Sequence, residues 1–111
     1  MKLRTGCDIV HIPRFKKILK RTPAVADKIF LAEERAVKNP EELAGVFAAK
    51  ESVMKALGIP AGSWLSVLIK KEKSGKPFVT IKKPHAVRYH TGDISISHDG
   101  DYAVAFAVFI I

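Results

Sequence analysis

The run YAVAFAVFII, Tyr102 to Ile111, limits the possible folds more than any other stretch. It is apolar throughout and contains neither Pro nor Gly. It is far shorter than the roughly 18 apolar residues that a membrane-spanning helix needs, so it reads as a β-strand. Alternation places Ala103, Ala105 and Ala107 on one face and Val104, Phe106 and Val108 on the other. A strand that is apolar on both faces has to be covered twice. One cover is a helix layer; the other is a further surface such as a second subunit.

A helix suited to the first cover runs from Asn39 to Gly58. Asn39 can cap its N-terminus, Pro40 suits the first helical position, and Glu41 and Glu42 complement the helix dipole. Gly58 suits the residue just past the C-terminus, and Pro60 blocks continuation. At about 100° per residue, Leu43, Val46, Phe47, Val53, Met54 and Leu57 form one apolar stripe. Lys50 falls inside that stripe. Glu51 and Lys55 lie along one edge, four residues apart.

Upstream, Leu3 to Ile9 alternate as a strand that turns Asp8 away from the Cys7–Ile9 side. Pro13 opens a basic helix, PRFKKILKR, and a second helical stretch is expected over Ala24 to Lys38. Downstream the pattern is β: WLSVLIKKE, the turn KSGK, PFVTIKK, DISISH, the turn DGD, and the final strand. The expected class is α+β: a single domain over residues 1–111 with a mainly antiparallel sheet packed against one long helix.

The 111 residues carry a formal net charge of +8. That balance suits an anionic partner, whether nucleic acid, a phosphorylated small molecule, an acidic protein or a membrane surface. The single cysteine, Cys7, excludes an internal disulfide framework and a Cys-rich zinc site, and fits a reducing cytoplasm. The N-terminus lacks the apolar run of a signal peptide, and no segment is long enough to span a membrane.

Few residues are candidates for chemistry. Glu51 and Lys55 are either an ordinary surface pair or part of a site. Lys50 needs a phosphate or a carboxylate if it is buried. Asp8 is either on a wet face or paired with Glu51, and two carboxylates near lysines would suit magnesium, which takes few protein ligands and completes its shell with water and phosphate oxygens. His98 is either a turn residue or a hydrogen-bond donor to a phosphate beside Ser97. The sequence holds no HExxH zinc motif, phosphate-binding Gly loop, nucleophile elbow or dinucleotide fingerprint.

Taken in order, GCDIVHIPR, LAGVFAAKESVMKALG, SGKPFV and ISISHDGDYAVA resemble the holo-acyl-carrier-protein synthases, the small phosphopantetheinyl transferases. The resemblance implies transfer of 4′-phosphopantetheine from coenzyme A to a serine of an apo acyl carrier protein, in support of fatty acid biosynthesis. It implies a magnesium requirement, 3′,5′-ADP as the second product, and a homotrimer with sites between subunits. By match to the family's motifs, Asp8 and Glu51 would bind the metal, with Glu51 and Lys55 catalytic. Lys50, Lys55, Gly58, Ser97 and His98 would hold the coenzyme, and Glu34 would stand behind the site. The general base is open between Glu51 and a metal-bound water. Arg14, Lys17 and Arg21 share a face of the first helix and would dock the carrier. Two positions depart from the pattern: Val46, where many members carry Arg, and Asp99, where Thr is common.

Two other readings compete. A basic nucleic-acid-binding module rests on charge and on the stretches KRTP, KKEK and IKKPHAVRYH, but aromatics make up only 8% and are not interleaved with the basic residues as a stacking platform requires. A family member that binds coenzyme A without transferring from it is suggested by Val46 and Asp99.

Overall fold

The computed structural model describes residues 1–36, 39–83 and 88–111. β1 (Leu3–His11) leads into α1 (Ile12–Arg21). Two short helices follow, α2 (Ala24–Ile29) and α3 (Ala32–Arg35), and then the long α4 (Pro40–Leu57). A 3₁₀ turn at Trp64–Ser66 opens the hairpin of β2 (Val67–Lys71) and β3 (Pro77–Ile81). β4 (Thr91–Asp99) and β5 (Tyr102–Ile110) complete the chain. β1, β5 and β4 form one antiparallel sheet in that order, and β2–β3 form a second. No helix is long and apolar enough to cross a membrane among the described residues.

The last strand is central, as its two apolar faces require. Ala103, Ala105 and Ala107 are buried, and they share a face with Asp8 and Gly6 through the pairs Asp8↔Ala105 and Gly6↔Ala107. That face lies under α4. The small residues Gly45, Ala48, Ser52 and Ala56 lie on the side of α4 facing the sheet, and a Cβ on Gly6 would stand 1.8 Å from the Ser52 carbonyl oxygen. The Ser52 hydroxyl lies 2.8 Å from the Ala48 oxygen and 3.0 Å from the Ala105 oxygen, so it tethers helix to strand. The opposite sheet face is open: Ile9, Tyr102 and Phe106 are exposed there, beside half-buried Val104 and Val108.

The caps of α4 agree with expectation. The Asn39 side chain accepts from Glu41 N–H at 2.9 Å, and Gly58 adopts φ 68°. The apolar stripe, however, supplies only four of the eleven residues that α4 buries, Val46, Val53, Met54 and Leu57. It packs away from the sheet, where Phe47 stacks on Phe15 and meets Trp64. The small-residue side, which a hydrophobic pattern does not mark, packs against the strands.

Two expected elements are corrected. The helix expected over Ala24 to Lys38 breaks at Phe30 and Leu31, both extended. The break leaves Phe30 1% exposed in the core; Val37 and Lys38 lie outside the described residues. The strand expected from Trp64 begins only at Val67, because the Ser66 N–H bonds back to the Ser63 carbonyl at 3.0 Å and winds the chain.

Gly6→Ala is therefore expected to cost about 3 kcal/mol or to prevent folding, because backbone is what its Cβ would strike. Gly58→Ala meets no atom within 4 Å and strains only a positive φ, at about 1 kcal/mol. Urea unfolding of both variants checks the ranking, and equal losses would show that α4 and β1 are not in such close contact.

Candidate active site

Asp8 faces α4 with its side chain 18% exposed, not the open sheet face. The Lys55 ammonium stands 3.1 Å from Asp8 Oδ1 and donates to the Cys7 carbonyl at 3.0 Å. Glu51 lies one turn earlier on the same side of the helix. The indole N–H of Trp64 reaches Glu51 Oε1 at 3.5 Å. Asp8 and Lys55 thus meet where the outer edge of β1 passes the C-terminal half of α4, and Glu51 stands on the same flank of the helix, held by Trp64. Gly58 ends that helix, exposed, one turn beyond Lys55.

Among the described residues, no group of three or more His, Cys, Asp or Glu side chains could hold a metal ion. Asp8 and Glu51 supply hard oxygen donors and too few of them for a closed protein cage. That donor set fits magnesium, which keeps water and phosphate oxygens in its shell. It does not fit structural zinc, which takes four protein ligands rich in Cys and His.

The role expected for Lys50 is corrected. Its side chain is 0% exposed and stands 2.6 Å from Glu34 Oε1, itself wholly buried. It also donates to the Trp64 carbonyl at 2.9 Å, and its ammonium stands over the Phe30 ring. Its ammonium is thus turned to protein partners and not to solvent. Burial pulls the Lys50 ammonium below the ordinary lysine range, and the hydrogen bond to Glu34 works in the opposite direction. Glu34 is further held by two backbone donors: the Leu31 N–H at 2.8 Å on Oε1 and the Ile69 N–H at 2.9 Å on Oε2. The acid expected behind the site is thus the partner that Lys50 needs.

Ser97 and His98 are neighbours in sequence but point to opposite faces of β4. Ser97 pairs with Val104 on the open face, and Asp99 with Tyr102 on that same face. His98 pairs with Ala103 on the α4 face. Its Nε2 lies 2.9 Å from the Glu41 carbonyl, so that nitrogen carries the proton and donates. Gly45 makes room for the ring, since a Cβ there would stand 2.9 Å from Nε2. His98 and Ile96 line one wall of a groove of about 550 Å³, with Glu42 and Val46 of α4, Lys71 of β2 and Pro77 of β3 on the others. Lys71 and Glu42 pair across it at 3.6 Å.

That groove and the Asp8–Glu51–Lys55 cluster lie on opposite flanks of α4. Val46 and Lys55 are nine residues apart, about 180° around the helix at 100° per residue. β1 and β4 are likewise the two outer strands of the sheet, with β5 between them. One chain therefore does not gather all the expected site residues into one place. Arg14, Lys17 and Arg21 are all exposed on α1, while Ile12 and Phe15 of that helix are buried. The residue that sequence reasoning missed is Trp64, taken there only as the start of a strand.

A family model described as the 4′-phosphopantetheinyl transferase superfamily matches residues 4–107. The holo-[acyl-carrier-protein] synthase of Salinispora arenicola is 40% identical, over 97% of this chain and 98% of that protein. The chain belongs to the holo-[acyl-carrier-protein] synthase family. The synthase of Caldanaerobacter subterraneus subsp. tengcongensis is 41% identical over 97% of this chain and 94% of that protein. Among solved structures, the synthase of Helicobacter pylori in complex with coenzyme A superposes with a TM-score of 0.87 at 31% identity, covering 95% of this chain and 98% of that one. The Bacillus anthracis synthase in complex with CoA (3′,5′-ADP) gives a TM-score of 0.80 at 31% identity, over 96% and 94% of the two chains. The α+β architecture with its long helix is thus that of the synthase family.

Breaking the buried pair should be costly even though it touches no ligand. Lys50→Met leaves the Glu34 carboxylate buried without its countercharge and is expected to lower stability by about 3–5 kcal/mol. Denaturant unfolding measures this. A loss under about 1 kcal/mol, the range of a surface pair, would contradict the burial described here.

Proposed function

We propose that this chain transfers 4′-phosphopantetheine from coenzyme A to a serine of an apo acyl carrier protein, releasing 3′,5′-ADP, in the cytoplasm and in support of fatty acid biosynthesis. The observation that carries this reading is the Asp8–Lys55 pair on the flank of α4 that also carries Glu51, in a chain of the synthase family.

In the transfer, the serine oxygen forms a bond to the β-phosphorus of the coenzyme as the bond to the leaving 3′,5′-ADP breaks, and the serine proton passes to a base. The demand on the protein is alignment and neutralisation of charge. Asp8 and Glu51 would hold magnesium, which when bound polarises the phosphoryl group. Lys55, now engaged by Asp8 and the Cys7 carbonyl, supplies a positive charge beside the pyrophosphate. Gly58, exposed beyond Lys55, allows close approach of the ligand to the helix end.

His98 and its groove would take the nucleotide end of the coenzyme. Its apolar walls, Val46 and Ile96, suit a flat base, and Lys71 can turn from Glu42 to a phosphate. Asp99 points to the opposite strand face from His98, so its charge does not oppose a phosphate there. Ser97, on the open sheet face, would meet ligand only through a neighbouring chain. Because the groove and the acidic cluster lie on opposite flanks, a complete site takes one from each of two subunits. The exposed Ile9, Tyr102 and Phe106 give those subunits an apolar face on which to associate, and a homotrimer is the assembly we propose. The exposed cations Arg14, Lys17 and Arg21 would dock the acidic carrier.

Incubation with coenzyme A, magnesium and an apo carrier should add the phosphopantetheine mass to the carrier. Glu51→Ala should lower that rate by at least about a hundredfold while the protein stays folded, since Glu51 is half-exposed. An unchanged carrier mass with every apo carrier tried would overturn the reading.

A further inference from the structure

The buried Lys50–Glu34 pair takes no part in the proposed chemistry, yet Lys50 immediately precedes Glu51. Between them in space stands Trp64. We propose that Trp64 is a positioning residue for the Glu51 carboxylate, and that the buried pair holds Trp64 in place for that task. This rests on the reading of Glu51 as a metal-holding carboxylate.

Three contacts fix Trp64. Its carbonyl accepts from the Lys50 ammonium at 2.9 Å and from the Val67 N–H that closes the 3₁₀ turn. Its ring packs against Phe47, with centroids 6.1 Å apart. The Phe47 ring is itself stacked on Phe15 at 5.6 Å. With backbone and ring both held, the indole N–H has a set direction, and it meets Glu51 Oε1 at 3.5 Å. An indole nitrogen donates and does not accept, so it cannot compete with the carboxylate for a cation. What it can do is restrict a flexible side chain on a half-exposed helix flank before a ligand arrives, which lowers the entropy lost on binding. Hydrogen-bond partners of metal-holding side chains typically change metal affinity by about ten- to a hundredfold. The 3.5 Å contact is long, so the lower end of that range is expected.

The experiment uses the fact that Trp64 is the only tryptophan in the chain. In the full-length protein, titration with magnesium chloride should change tryptophan emission saturably. Glu51→Gln should alter the emission of the folded, metal-free protein and abolish the magnesium response. Trp64→Phe keeps the ring packing and the carbonyl but loses the N–H. In the transfer assay it should raise the magnesium concentration for half-maximal rate about tenfold, with kcat at saturating magnesium nearly unchanged. A merely structural role would lower stability or kcat without moving the magnesium dependence.

The inference is overturned if Trp64→Phe folds and retains the wild-type magnesium dependence, or if emission is indifferent to Glu51→Gln. Should Trp64→Phe fail to fold, the emission of Glu51→Gln decides alone. Full transfer activity in Glu51→Gln would instead remove the metal-holding role of Glu51 and this inference with it. That outcome is distinct from loss of the Trp64 effect in a protein that still requires Glu51.

Discussion

A helix and a strand can lie as close as α4 and β1 do only where no side chain stands between them. Gly6 provides that gap, with the Ser52 carbonyl against the space a Cβ would fill. The Ala side of β5 continues the surface, and Ser52 ties the helix to the Ala105 carbonyl. This close approach places the candidate site residues. Asp8 is two positions beyond Gly6 and therefore on the same strand face. It meets the flank of α4 that carries Glu51 and Lys55. A bulkier residue at position 6 would lift the helix and separate Asp8 from Lys55.

The far side of α4 is held differently. There the helix buries a charge, and the fold supplies Glu34 from α3 with its carboxylate already bonded to two backbone N–H groups. Such a pair contributes little net stability, because desolvation offsets most of the Coulombic gain. What it provides is registry. Through Lys50 and Glu34, α4 is fixed relative to α3, to β2 at Ile69 and to the 3₁₀ turn at Trp64. A methyl-rich contact could slide; a buried carboxylate with three donors has one position that satisfies them all.

Much of this was legible in the sequence. The doubly apolar last strand, the caps of α4 and the placing of Asp8 opposite Cys7 and Ile9 all follow from period and end chemistry; that α4 covers the Asp8 face did not. The partner of Lys50 was not legible, although the need for one was. Glu34 is distant in sequence, and the helix break at Phe30 that delivers it leaves no strong local signal. The sheet-facing side of α4 was hidden because glycine, alanine and serine carry little hydrophobic weight, so the stripe pointed to the other half of the helix. That Ser97 and His98 face opposite sides of β4 was legible too, since strand alternation sends neighbours apart. The placement of 84–87, within the basic stretch IKKPHAVRYH, lies outside the described residues.

The division of site residues between the two flanks of α4 is the central claim for function, and it predicts that two damaged subunits can repair each other. Glu51→Ala and His98→Ala chains, each impaired alone, would be unfolded together, refolded as mixed oligomers and assayed for carrier modification. If each site takes Glu51 from one subunit and His98 from its neighbour, random assembly leaves one interface in four intact, and turnover should recover to about a quarter of wild type. No recovery, with mixed oligomers demonstrated, would mean that each chain carries its site alone, and would contradict the account.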